Sequence, residues 1–150
     1  MSLSDATFVV TDVETTGTSA DDHRIIELGA VKVRDGDVVD RFQQLVNPQQ
    51  SVPGRITKLT GITTGMVFEA PPVAEVLPAY LSFLGDGIFT AHNLSFDRSF
   101  VNAELKRLGR DAPSNETLCT LRLARRLLPG PDSKGLSRLT QFSDIDVNGR

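Results

Sequence analysis

A short strand that runs into two acids constrains this chain more than any other feature. Thr7-Phe8-Val9-Val10 is apolar and rich in β-branched residues, the composition of a buried strand. Strand alternation puts Phe8, Val10, Asp12 and Glu14 on one face. That face begins apolar, which predicts that it points to the core. It ends in two carboxylates separated by two residues of rise, about 7 Å. Paired acids on a core-facing side repel each other and lose hydration. A divalent cation is the simplest remedy. Thr15-Thr16-Gly17 then breaks the strand and leaves hydroxyls and backbone amides beside the acids.

The whole chain of 150 residues reads as a single domain with room for a sizeable core. No apolar run approaches the length of a membrane span, so no membrane partner is expected. Met1-Ser2-Leu3-Ser4-Asp5 has neither the basic start nor the apolar stretch of a signal peptide. One cysteine, Cys119, excludes an internal disulfide framework and points to a cytoplasmic location. One Cys and two His are too few for a Cys/His zinc site. The net charge of −3 argues against a protein that coats nucleic acid in bulk. Its distribution is uneven: residues 1–75 hold 11 acids and 6 bases, residues 76–150 hold 8 acids and 10 bases. Lys106, Arg107, Arg110, Arg122, Arg125 and Arg126 carry the later excess. They read either as solvated helix faces or as a phosphate-facing rim.

Ile25 to Val33 reads as a second strand and Val38 to Val46 as a third, joined by the turn signal Asp35-Gly36-Asp37. The three form an antiparallel meander. Pro53 to Leu59 reads as a short helix closed by Gly61. A second helix follows Pro71-Pro72 and ends at Gly85. Ile88 to Ala91 is a short buried strand, Leu94 to Leu108 a helix ended by Gly109, Thr117 to Leu128 a further helix, and Lys134 to Phe142 the start of another. Strands first, then helices alternating with buried strand, predict an α/β domain with a mixed sheet.

A third acid opens the helix after the fourth strand. Phe100, Val101, Leu105 and Leu108 mark its buried stripe, and Asp97 falls on the same stripe. An exposed acid in a first turn is explained by the helix dipole; a core-facing one needs a partner. Glu27 reads as an exposed or hydrogen-bonded mid-strand acid, His92 as a packed histidine, His23 as solvated, and Cys119 as core filler on a helix stripe.

Asp12-Val13-Glu14-Thr15-Thr16-Gly17, Ile25-Ile26-Glu27-Leu28-Gly29-Ala30, Leu59-Thr60-Gly61-Ile62-Thr63 and His92-Asn93-Leu94-Ser95-Phe96-Asp97 together resemble the DEDD 3′→5′ exonucleases. The resemblance is to the DEDDh (DnaQ-like) branch, which contains the proofreading epsilon subunit of bacterial DNA polymerase III. It runs from about Thr7 to Arg150. It implies a ribonuclease H-like, mixed five-stranded sheet with flanking helices. It also implies phosphodiester hydrolysis with two Mg²⁺ ions, Mn²⁺ being an acceptable substitute. By motif match, Asp12, Glu14 and Asp97 would be the catalytic metal ligands. Thr15, Thr16 and Gly17 would contact the terminal nucleotide, with Thr60 and Phe96 packing against its sugar or base. The implied partners are single-stranded or frayed 3′ ends of DNA, or RNA, and a DNA polymerase subunit.

The family also carries a late helix with a histidine general base and a fourth acid. No His follows His92, and Asp144-Ile145-Asp146-Val147-Asn148-Gly149-Arg150 stands where that pattern would begin. The expectation is that residues 1–150 lack the C-terminal catalytic helix. The alternative reading is a catalytically impaired nucleic-acid-binding or polymerase-associated module of the same fold. A haloacid dehalogenase-like phosphatase, whose Asp-x-Asp-x-Thr nucleophile motif is similar to Asp12–Thr16, is disfavoured by the meander and by His92-Asn93-x-x-Phe96-Asp97.

Overall fold

The computed structural model describes residues 2–130 and 134–146. The stretch 147–150, where the late motif was expected to begin, lies outside the described residues. The order of elements is β1 (Thr7–Thr15), β2 (Ile25–Arg34), β3 (Asp37–Leu45), α1 (Gly54–Thr60), α2 (Thr64–Phe68), α3 (Val73–Leu84), β4 (Ile88–Ala91), α4 (Leu94–Arg107), β5 (Thr117–Cys119), α5 (Thr120–Leu127) and α6 (Leu136–Phe142). The strands form one mixed sheet in the order β3-β2-β1-β4-β5. β1, β2 and β3 are antiparallel, whereas β4 pairs with β1 and β5 with β4 in parallel. Asp35 and Gly36 both take positive φ (50° and 83°), so the predicted hairpin turn has left-handed backbone at both central residues. The mixed five-stranded α/β architecture is the one expected.

The orientation of β1 is the reverse of the expectation. Val9, Thr11, Val13 and Thr15 are its buried residues, whereas Val10 and Asp12 are exposed. α4 packs against β1, β2 and β4, and the core of Val9, Val13, Leu28, Leu77, Tyr80, Phe89, Phe100 and Leu105 lies on that side. Thr7-Phe8-Val9-Val10 is apolar on both faces, so alternation grouped the side chains correctly but could not say which group faces inward. Thr11 shows how the buried polar position is tolerated: its hydroxyl lies 2.7 Å from the Tyr80 hydroxyl, pairing two groups that burial would otherwise leave unsatisfied. Burial also pushes the Tyr80 phenol well above its ordinary range.

A smaller cluster, Ile26, Val52, Ile56, Ile62 and Val67, ties α1 and α2 to β2. It holds Thr60 at the end of α1, whose chain turns at Gly61 with φ of 78°. Two elements differ from the sequence reading. α2 had not been expected; Thr63 caps it, its side chain accepting from the Met66 amide at 3.2 Å. Thr117–Cys119 is strand rather than the first turn of a helix. Phe89, Thr90 and Ala91 pair with these three residues, and so short a segment carries no period of its own. Among the described residues, no helix is long and apolar enough to cross a membrane.

Candidate active site

The sheet opens where the acids stand. β4 pairs with β1 only through Phe8, Val9 and Val10. Beyond that point the Val13 amide donates to Asp97 Oδ1 at 3.0 Å, so a side chain takes the place of a strand. Asn93, in left-handed backbone with φ of 65°, turns the chain from β4 towards α4 and brings Asp97 to this gap. Asp97 is 3% exposed. Burial pushes its carboxyl up to about 7; the Val13 amide opposes the rise, and the charges of Asp12 and Glu14 add to it. The three predicted acids therefore sense one another.

They differ in exposure. Asp12 lies open, and its cross-strand neighbour is Gly29, whose lack of a side chain leaves space beside it. Asp12 and Thr60 line the same groove of about 560 Å³, together with Gly29, Gly61, Ile62 and Met66. Glu14 is half-buried and faces Glu27 across the β1–β2 ladder, and the Glu27 carboxylate accepts from Gln43 Nε2 at 3.1 Å. Among the described residues, no three His, Cys, Asp or Glu side chains are gathered closely enough to form a ready metal-binding group.

The segment after β1 is a built loop. Thr15 Oγ1 donates to the Gly17 carbonyl at 2.6 Å. The Thr16 amide donates to the Arg24 carbonyl at 2.9 Å, and the Arg24 amide returns a bond to Thr16 Oγ1 at 3.0 Å. Thr16 Oγ1 also donates to Gln50 at 3.0 Å. Both hydroxyls are thus engaged in holding the loop. A Cβ at Gly17 would collide with the His23 imidazole, so a larger residue here would displace that ring. His23 is partly buried against it rather than solvated. Thr60 is engaged too, donating to the Ile56 carbonyl at 2.8 Å and accepting from the Ile62 amide at 3.1 Å. Phe96 is half-buried, its ring centroid 5.0 Å from that of Phe100.

One important residue escaped the sequence reading. Glu104, 1% exposed, accepts from Arg24 Nε at 2.7 Å and Nη2 at 2.9 Å, and pairs with Arg107 at 3.2 Å. Arg107 also donates to the Ala20 and Asp21 carbonyls at 2.6 and 3.1 Å. This clamp fastens the 16–24 loop to α4. The available signal was position: Glu104 lies on the stripe of Phe100, Val101 and Leu105, where an acid demands a cation.

His92 is structural, as expected, with Nδ1 2.9 Å from Thr120 Oγ1 and Nε2 2.7 Å from the Lys134 carbonyl oxygen. Cys119 packs against the main core, as expected, but from the end of a strand rather than from a helix stripe. It ends β5, caps α5 and is only partly buried. Asp144 and Asp146 are exposed.

The sequence profile of the RNase T family, described as Exonuclease, matches residues 9–150. The chain belongs to this exonuclease family. The DNA polymerase III subunit epsilon of Aquifex aeolicus is 40% identical over 147 residues, covering 98% of this chain and 73% of that protein. The PolC-type DNA polymerase III of Bacillus cereus is 42% identical over 145 residues, 97% of this chain but 10% of that protein. The chain spans only 10–21% of the length of the first curated relatives it matches. A solved structure of exonuclease X in complex with 5′ overhanging duplex DNA is similar with a TM-score of 0.77 and 29% identity, covering 95% of this chain and 76% of that one. The resemblance read from the motifs is thereby met in family and in fold: the chain carries the exonuclease-family sequence on a mixed five-stranded sheet of ribonuclease H-like form.

Proposed function

We propose that this chain is a divalent-metal-dependent 3′→5′ exonuclease domain that releases 5′-mononucleotides from single-stranded or frayed 3′ ends. DNA is the favoured substrate, and replication by a DNA polymerase III-type assembly in the cytoplasm is the context. The observation that carries the reading is Asp97: a buried carboxyl, fixed by the Val13 amide, whose ionisation is opposed by Asp12 and Glu14. Such an arrangement is unfavourable in isolation and favourable beside a cation. The relatives' names and the DNA complex of exonuclease X support the choice of DNA and of a polymerase partner.

The donor set is carboxylate only, which fits a hard cation such as Mg²⁺, with Mn²⁺ as substitute. Asp12, Glu14 and Asp97 would hold it, although the side chains are not drawn together into a closed cage. When bound, two such ions supply activation of water and stabilisation of the leaving 3′-oxygen. The chain's own residues do the rest. Val13 orients Asp97. The Thr15–Gly17 turn, stiffened by its own hydroxyls and by the Glu104 clamp, presents a fixed surface to the terminal nucleotide. Thr60 closes the groove beside Asp12.

The test is digestion of 5′-labelled single-stranded DNA and RNA with Mg²⁺, Mn²⁺ or EDTA. A ladder of shortening products that vanishes in EDTA is expected. Release of the label as a mononucleotide at the outset, cutting of a closed circle, or activity in EDTA would overturn the reading. Binding without any shortening would favour the impaired-module alternative.

A further inference from the structure

The later basic excess divides in two. Lys106 and Arg107 lie at the C-terminal end of α4 and Arg110 just beyond it, and Arg107 is engaged by Glu104. Arg122, Arg125 and Arg126 line a separate groove of about 600 Å³ with Cys119 and Leu94. Positions 122, 125 and 126 are related by three and four residues and share one face of α5. Among the described residues none of the three makes an ion pair. Like charges at this spacing weaken a helix. Arg122 stands in the first turn, the end where the dipole disfavours a cation. Within the described residues this clustering of positive charge is uncompensated by any ion pair.

The groove is linked to the acidic site through the start of α4. Leu94 begins α4 three residues before Asp97, and its amide donates to Cys119 Sγ at 3.5 Å, joining the starts of α4 and α5. Amides converge there. Burial raises the Cys119 thiol, yet the amides of Arg122, Leu94, Asn93 and Leu121 together bring it below its ordinary value.

We infer that the Arg122–Arg125–Arg126 groove holds the phosphates of the nucleic-acid strand upstream of the bond cleaved at Asp12 and Asp97. Guanidinium groups suit this task because each can grip a phosphate through two parallel N–H bonds. The inference rests on the exonuclease reading and adds to it a dependence on strand length: the acids take the 3′ end, and the arginines take the chain behind it.

Two charge-matched pairs test this. Arg122→Gln/Arg126→Gln removes two charges from the groove, and Lys106→Gln/Arg110→Gln removes two at and just beyond the far end of α4, at the same spacing. Gln keeps helix propensity, and circular dichroism checks folding. Binding of fluorescent dT3 and dT15 is measured in EDTA across a salt series. The groove pair is expected to weaken dT15 binding roughly tenfold and to reduce the slope of log K against log salt by about 1.4, at about 0.7 per phosphate contact, with little change for dT3. The control pair is expected to change neither. Equal effects from the two pairs, or an unaltered slope in the groove pair, would overturn the inference. Shortening of dT15 by the unaltered protein is scored separately in Mg²⁺. Binding through the arginines without shortening would sink the exonuclease reading and leave the groove standing; shortening with an unaltered slope would do the reverse.

Discussion

α4 carries two buried acids, two turns apart, and they are treated in opposite ways. Glu104 is surrounded by cations: Arg24 and Arg107 grip its carboxylate, and the Ile25 amide adds a bond at 3.4 Å. Asp97 is set near more acids, with backbone amides, that of Val13 first, to steady it. Glu104 is complete within the fold; it joins a loop to a helix. Asp97 is held in a state that burial and its neighbours make unfavourable, and it sits where the sheet parts. The contrast teaches how to tell a structural buried carboxylate from one reserved for a ligand, by the sign of what surrounds it.

The strongest way to break this comparison is to remove the ligand side. Asp12→Ala and Asp97→Asn should each lower exonuclease activity by more than about a hundredfold, because even residues that merely support metal ligands cost 10–100-fold. The rate of shortening of a 5′-labelled strand in Mg²⁺ checks this. Near-normal rates in either variant would place the chemistry elsewhere. Next in size is the structural side. Glu104→Ala leaves Arg24 and Arg107 facing a void, and loss of one partner from a buried pair costs about 3–5 kcal/mol. Urea unfolding should show it as a lowered midpoint. A change within experimental error would mean that the clamp is slack.

A third expectation concerns pH and carries a definite sign. The Asp97 carboxyl titrates at about 7 in the folded chain against 3.8 for the free group. The folded state therefore binds the proton more tightly, and this residue's contribution to stability falls as pH rises from about 4 to about 7. Without divalent ions, the melting temperature should drop over that window by several degrees. Asp97→Asn, which keeps an oxygen for the Val13 amide, should remove this drop, as should saturating Mg²⁺. A variant with the same pH profile as the parent would sink the assignment. The smallest effect is at the shared core. Tyr80→Phe leaves the Thr11 hydroxyl with its weaker 3.4 Å bond to the Val9 carbonyl, and should cost about 1 kcal/mol by the same unfolding measurement.

Much of this was legible in the sequence because the signals were local. The Asp-Gly turn, Gly61 closing α1, and the stripe placing Asp97 inside its helix all lie within a few residues of what they specify. The misreadings are non-local. Which face of β1 is inward depends on where α3 and α4 pack, and Thr7–Val10 is apolar on both sides. β5 is strand only because β4 lies beside it. Arg24 and Glu104 stand 80 positions apart and meet only after folding. The hydrogen bonds of the Thr15 and Thr16 hydroxyls to Gly17, Gln50 and the Arg24 amide likewise join residues up to 34 positions apart, a closure that composition does not reveal.

The bond between Val13 and Asp97 makes the site observable from the backbone. Val9 lies in a stretch flanked by strands on both sides and should exchange its amide proton for deuterium only when the whole domain opens. Val13 is guarded on one side by a carboxylate, so its exchange should follow each excursion of that side chain. The ratio of the two rates would report the motion of Asp97 without any substrate present.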